Sequence, residues 1–168
     1  MPFRHINSFF ISSNRILFVS SVIFFGVIIN ILLSFIYYDI LALDLGASSE
    51  LLVDIPTDFQ FMIIVFVAPI TETAIFQYLL IVLALKTFMD IHWISHYTIK
   101  HYFKVVLISS ILFSLIHSYS IVYCLLSFIM SLYFGYITII SEFIRKKKVS
   151  VFISVGLLHV ILNLMTYI

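Results

Sequence analysis

The chain has one cysteine, Cys124, among 168 residues, which excludes an internal disulfide and any Cys-x-x-Cys metal site. Charge is scarce too, at 10% of residues, where soluble domains carry about 25%. Apolar residues reach 63% and the mean hydropathy is +1.21, a surface that no soluble fold could solvate. The formal net charge of +1 gives no electrostatic footprint for nucleic acid or for an acidic partner. Four glycines and three prolines make no linker, and no repeat or low-complexity tail sets a second domain apart. The chain therefore reads as one all-α membrane domain, residues 1–168, with Cys124 packed as a small hydrophobe.

Crossing about 30 Å of hydrocarbon takes roughly 17 to 25 apolar residues. Runs of that length occur at 16–37, 59–85, 121–140 and 149–168. A fifth, 105 to about 119, is shorter and ends in His117-Ser118-Tyr119-Ser120, a sequence suited to turning straight into the next helix. The expectation is a polytopic bundle of about five transmembrane helices. The first run is too long for a signal-peptide core, and no convincing cleavage site follows it, so it reads as a signal anchor.

Basic residues stand before the first run (Arg4, Arg15), between the second and third (Lys86, Lys100, Lys104) and before the last (Arg145 to Lys148). The loop from 38 to 58 has none and carries Asp39, Asp44, Glu50, Asp54 and Asp58. Positive loops stay inside, so the N-terminus is expected in the cytoplasm and the acidic loop outside. The Arg-Lys run is read as a topology anchor or anionic-lipid contact rather than a nucleic-acid site. His92, His96 and His101 accompany Trp93, Tyr97 and Tyr102 and read as an amphipathic interfacial segment, not a metal site.

Four polar side chains then stand out inside apolar runs: Glu72, His117, His159 and Asn163. An ionisable group at bilayer depth normally persists only where it faces a bundle interior or a cavity. Counted from Lys86, Lys104 and Lys148, the first three lie about 21, 20 and 17 Å from one membrane face, at about 1.5 Å per residue. Similar depth on three helices permits a shared site. His159 and Asn163 are four residues apart and project from one helix face, as do Phe113 and His117. Pro69, one turn before Glu72, removes a backbone hydrogen bond and is expected to kink the helix there.

A carboxylate, two imidazoles and a carboxamide in a low-dielectric pocket suit peptide-bond hydrolysis. Glu72 would act as general base on a water that His117 helps to hold. His159 and Asn163 would donate to the oxyanion of the tetrahedral intermediate. The same donors are open to a second mechanism, zinc held by Glu72, His117 and His159 with one position left for water. No cofactor is needed for the first; zinc is the cofactor of the second.

These residues resemble the CPBP intramembrane proteases, also called the type II CAAX prenyl endopeptidase or Abi family. The family's Glu-Glu-xxx-Arg motif, usually after Pro and with Phe before the Arg, is matched in frame by Pro69, Glu72, Phe76 and Gln77. Its Phe-xxx-His is matched by Phe113 and His117, and its His-xxx-Asn by His159 and Asn163. The match covers roughly residues 59–168, a CPBP-like catalytic core. The resemblance implies an intramembrane endopeptidase in a bacterial cytoplasmic membrane, acting on a membrane-associated peptide or protein. It implies water activation by Glu72 and His117 and oxyanion stabilisation by His159 and Asn163. Two positions depart from it: Thr73 stands for the second Glu and Gln77 for the Arg, which reads either as a compensated swap, with Thr and Gln hydrogen-bonding where two charges pair, or as a mark of reduced activity.

Three other readings compete. His159 and Asn163 could serve only as interhelical hydrogen bonds, with Glu72 a neutral, satisfied acid. A non-catalytic member of the family would bind a peptide, as in bacteriocin immunity, and the Thr73 and Gln77 departures keep that reading open. A small proton-coupled transporter would use Glu72 and the histidines as a relay, but five spans without an internal repeat argue against it.

Overall fold

The computed structural model describes residues 13–36, 56–90, 99–118, 120–144 and 150–167. Five helical stretches account for them, with no strand among the described residues. Helix α1 is Arg15–Phe35, α2 covers 57–90, α3 is Ile99–Ile116, α4 is Ile121–Ile144 and α5 covers 151–167. The acidic residues Asp39 to Asp54, the stretch from His92 to Tyr97 and the Arg145 to Lys148 run lie outside the described residues.

Local chemistry sets where these helices begin. The Asn14 side chain accepts from Leu17 N at 2.8 Å and caps α1. The Ser120 hydroxyl accepts from Tyr123 N at 3.1 Å and caps α4, satisfying an amide that the first turn leaves unpaired. His117 N bonds Ser114 O at 3.1 Å as α3 closes, so α3 passes into α4 through the short turn expected at 117–120.

Three helices are long and apolar enough to cross a membrane, namely Arg15–Phe35, Phe59–Thr87 and Ile121–Ile144. His101–Ile116 and Phe152–Met165 are shorter apolar helices. The short span at 105–119 is thus found as such, and the described part of the run at 149–168 forms a shorter apolar helix. Its helix starts only after Ser150, whose carbonyl accepts from Ile153 and Ser154 at 3.1 Å each.

Helix α4 is the hub. The apolar window of α4 is 56% buried inside the bundle, against 17% for α1 and 22% for α2, and α4 packs on all four other helices. In lipid there is no hydrophobic drive between helices, so small residues that let backbones approach decide the contacts. Ser127, Ser131 and Gly135, four residues apart, are all buried on α4. A Cβ added at Gly135 would stand 2.5 Å from Val106 Cγ1 and 3.3 Å from Val106 Cβ on α3. Gly26 makes the matching approach of α1 to Leu158 on α5.

Two apolar cores result. One joins α1, α4 and α5 through Phe18, Val22, Phe134, Ile137, Val155 and Leu158. The other joins α2 to α3 through Ile81, Leu85 and Val106. The Tyr133 hydroxyl donates to Val22 O at 2.9 Å and Ser109 Oγ to Phe76 O at 2.7 Å, tying α4 to α1 and α3 to α2. The outer faces carry exposed apolar side chains such as Phe24, Phe59, Phe66, Phe103 and Ile121, as a lipid-facing bundle requires.

Gly135→Ala should lower the melting temperature in detergent, because β-branched Val106 sits against the α3 backbone and has little room to yield. Overpacking of this kind costs about 1–3 kcal/mol. Gly26→Ala should cost less, since the atoms it meets first are the terminal methyls of Leu158.

Candidate active site

Helix α2 changes its winding around Glu72. Ile63–Val67 and Thr73–Leu83 are wound in the wide i→i+5 register, and Ala68–Glu72 between them is α-helical. Such widened turns gather at functional positions. They deliver the Glu72 carboxylate to α3 and α5, with 19% of the side chain still exposed.

One oxygen of that carboxylate meets both imidazoles. Glu72 Oε2 lies 3.4 Å from His159 Nε2 and 3.6 Å from His117 Nε2. Both separations exceed the usual 2.7–3.2 Å of a hydrogen bond, and Oε2 is buried with no hydrogen-bond partner among the described residues. The three residues expected to share a depth therefore share a site.

The histidine of α3 is fixed through its other nitrogen. His117 Nδ1 lies 2.8 Å from Phe113 O. A carbonyl can only accept, so Nδ1 carries the hydrogen and the neutral ring turns the Nε2 lone pair toward Glu72. The Phe113 ring stacks on His117 with centroids 4.3 Å apart and planes at 27°, as the four-residue spacing leads one to expect. Phe76 meets Phe113 edge-on at 5.3 Å. His159 lies 5.0 Å from the Phe134 ring and 5.9 Å from that of Phe113.

Asn163 is held by backbone. Its Nδ2 donates to Ile64 O at 2.9 Å. Pro69 has no N–H to return to the carbonyls four and five residues upstream, Val65 and Ile64, and the segment before it is in i→i+5 register. Asn163 from α5 supplies the donor that Pro69 withholds. The polar stripe of His159 and Asn163 thus faces α2 over two turns.

Thr73 and Gln77 are each 1% exposed, yet no hydrogen bond joins them. Gln77 Oε1 lies 3.4 Å from Thr138 Oγ1 on α4, whereas Thr73 Oγ1 and Gln77 Nε2 have no partner among the described residues. Both side chains leave α2 on nearly the same face, and Gln77 extends toward α4 instead of back toward Thr73.

No three His, Cys, Asp or Glu side chains are arranged to hold a metal ion among the described residues, the Glu72, His117 and His159 trio included.

A family model described as type II CAAX prenyl endopeptidase Rce1-like matches residues 56–165, a stretch that holds Glu72, His117, His159 and Asn163 and most of the chain. The chain belongs to the type II CAAX prenyl endopeptidase Rce1-like family. No curated protein and no solved structure matches it. The family is one of CAAX-type intramembrane proteases, and its match begins where α2 begins. Helix α1 lies outside the matched stretch and acts as a brace on α4 and α5.

Not legible in the sequence were Phe134, whose ring lies 5.0 Å from that of His159, and the buried hydroxyls of Thr138, Ser141 and Ser154. Phe134, Thr138 and Ser141 recur at helical spacing, a signal that is present but shared with ordinary packing.

The Asn163 bond predicts a non-additive pair. Asn163→Ala should destabilise by about 1–3 kcal/mol, the range for a buried carbonyl left unpaired. In a Pro69→Ala background an amide at position 69 can reach Ile64, and the loss from Asn163→Ala should shrink. A thermal double-mutant cycle measures the coupling.

Proposed function

We propose that the chain is an intramembrane endopeptidase that hydrolyses a peptide bond of a membrane-associated peptide or protein with a glutamate-activated water. The observation that carries this reading is the Glu72 carboxylate oxygen placed beside two imidazoles inside an apolar bundle. A lone-pair nitrogen on His117 and a carboxylate oxygen 3.6 Å apart both accept, so one water can give a hydrogen to each. Its oxygen is then oriented for attack.

In the proposed reaction the water oxygen bonds to the scissile carbonyl carbon and its proton passes to Glu72. The carbonyl π electrons move to oxygen, and His159 and Asn163 stabilise the resulting oxyanion. Collapse of the intermediate breaks the C–N bond, and Glu72 returns the proton to the leaving amine. Phe113 supports the reaction by holding the His117 ring, and Thr73 and Gln77 support the helix that bears Glu72. The remaining exposure of the Glu72 side chain is where substrate would approach.

The test is cleavage of a membrane-peptide library by the purified protein in detergent, with and without a zinc chelator. General-base catalysis contributes about 10²- to 10⁴-fold, and Glu72→Gln should lose at least that much. Chelator should leave the wild type unaffected; sensitivity to it would replace this mechanism with a zinc-based one. Cleavage undiminished in Glu72→Gln would refute the assignment. Peptide binding that survives in Glu72→Gln, with no cleavage by either protein, would favour the non-catalytic immunity reading.

A further inference from the structure

Beneath the Glu72 layer the two apolar cores are separated by polar side chains. Thr73 and Gln77 on α2 are 1% exposed, and Thr138 and Ser141 on α4 and Ser154 on α5 are fully buried. A cluster of five buried polar groups where α2, α4 and α5 meet is not needed to pack helices, which the small-residue stripe on α4 already does.

Their hydrogen bonding is incomplete at one end. Ser141 and Ser154 pair at 2.9 Å. The Thr138 hydroxyl gives its hydrogen to Phe134 O at 2.9 Å, so its 3.4 Å approach to the Gln77 amide is a secondary contact. Whichever way that amide is turned, one end meets Thr138 and the other meets nothing, as Nε2 does in the observed orientation. Thr73 Oγ1 is also without a partner among the described residues. Buried donors left unmet are costly, and folded proteins commonly satisfy such groups with internal water.

The cluster has a direction. On α5, Gly156 faces Thr73, with the nearest Thr73 atoms 3.8 and 3.9 Å from where a Cβ would stand. Gly156 precedes His159 by three residues, about 4.5 Å along the helix, and Thr73 adjoins Glu72. The upper end thus lies one turn below the site. At the lower end Glu142 Oε1 accepts from Val151 N at 3.4 Å, and Glu142 Oε2 is buried without a partner among the described residues. Glu142 and Ser150 flank the Arg145 to Lys148 run in sequence, at the end of the bundle where Lys86 also lies.

We propose that Thr73, Gln77, Thr138, Ser141 and Ser154 line a chain of internal water sites. It runs from the Glu142 end of the bundle to the underside of Glu72, and it supplies the water consumed in hydrolysis. The supply role rests on the hydrolytic reading above; the water sites rest on the buried polar groups alone. Such a route would let water reach the carboxylate from the basic face while a membrane-borne substrate occupies the exposed side of Glu72.

The test pairs an experimental structure of the full chain that resolves ordered water with apolar isosteres, Thr73→Val and Gln77→Met. Water peaks are expected within hydrogen-bond distance of Thr73 Oγ1 and the Gln77 amide. Thr73→Val should lower kcat by roughly three- to tenfold at unchanged KM, the equivalent of about one lost hydrogen bond. Thr138→Val, in the middle of the tract, should do the same. A dry seam would show no such peaks, and Gln77→Met would raise the melting temperature by removing an unmet amide; that result overturns the proposal. Ordered water with kcat unchanged in Thr73→Val and Thr138→Val overturns the supply role. A protein that holds the waters but cleaves nothing fails the hydrolytic reading and supply with it, whereas an active hydrolase with a dry seam fails the tract alone.

Discussion

A carboxylate inside a lipid-facing bundle must be answered by the protein itself, because the hydrocarbon outside offers it nothing. Glu72 is answered by two imidazoles, and most of the local structure follows from putting them there. His117 has to leave α3 where that helix ends, so the chain turns at 117–118 and α4 begins at a serine cap. The ring must not rotate, so Phe113 holds it twice, by stacking and through its carbonyl. His159 comes from a different helix, which requires α5 to lie close against α2 along its length.

That closeness is obtained with backbone polarity rather than with apolar surface. A proline in α2 frees a carbonyl one turn upstream, and an asparagine on α5 bonds it. In a membrane such an exchange fixes register as well as contributing energy, because an unpaired carbonyl cannot turn to solvent. The proline therefore creates the acceptor that locates Asn163, and through Asn163 the helix face that carries His159. Helix α4 supplies none of the four candidate site side chains, yet its central position makes it the wall against which the other helices are aligned, and Phe134 is where that wall touches the site.

The parts of this arrangement that were legible in the sequence are those that membrane chemistry makes rare. Glu72, His117 and His159 stand out because an ionisable residue in an apolar run is expensive, and counting residues from the basic loops was enough to put them at one depth. Phe113 was legible from its four-residue spacing to His117. The Ile64 partner of Asn163 was not, because the acceptor is a main-chain carbonyl and carries no residue-type signal. Nor were Thr138, Ser141 and Ser154, since hydroxyls cost little in membrane helices and bond their own backbone, which makes a functional hydroxyl look like any other. Of the two readings of the Thr73 and Gln77 swap, the hydrogen-bonded one is not met within the pair, because the Gln77 amide reaches Thr138 on the neighbouring helix instead.

The two histidines are chemically distinguished by what holds them. His117 is anchored at Nδ1 by a carbonyl, which leaves Nε2 as an acceptor and suits it to holding a water hydrogen. His159 is held by rings, those of Phe134 and Phe113, and rings do not choose a tautomer. What faces His159 Nε2 is the Glu72 oxygen 3.4 Å away, and an anionic oxygen favours an N–H directed at it. With Glu72 ionised, one imidazole would present a lone pair and the other a hydrogen to the same carboxylate. The proposed hydrolysis, which would both accept from a nucleophilic water and donate to a developing oxyanion, calls for that asymmetry, and two residues of one type would acquire it from a backbone carbonyl on one helix and the facing carboxylate on another.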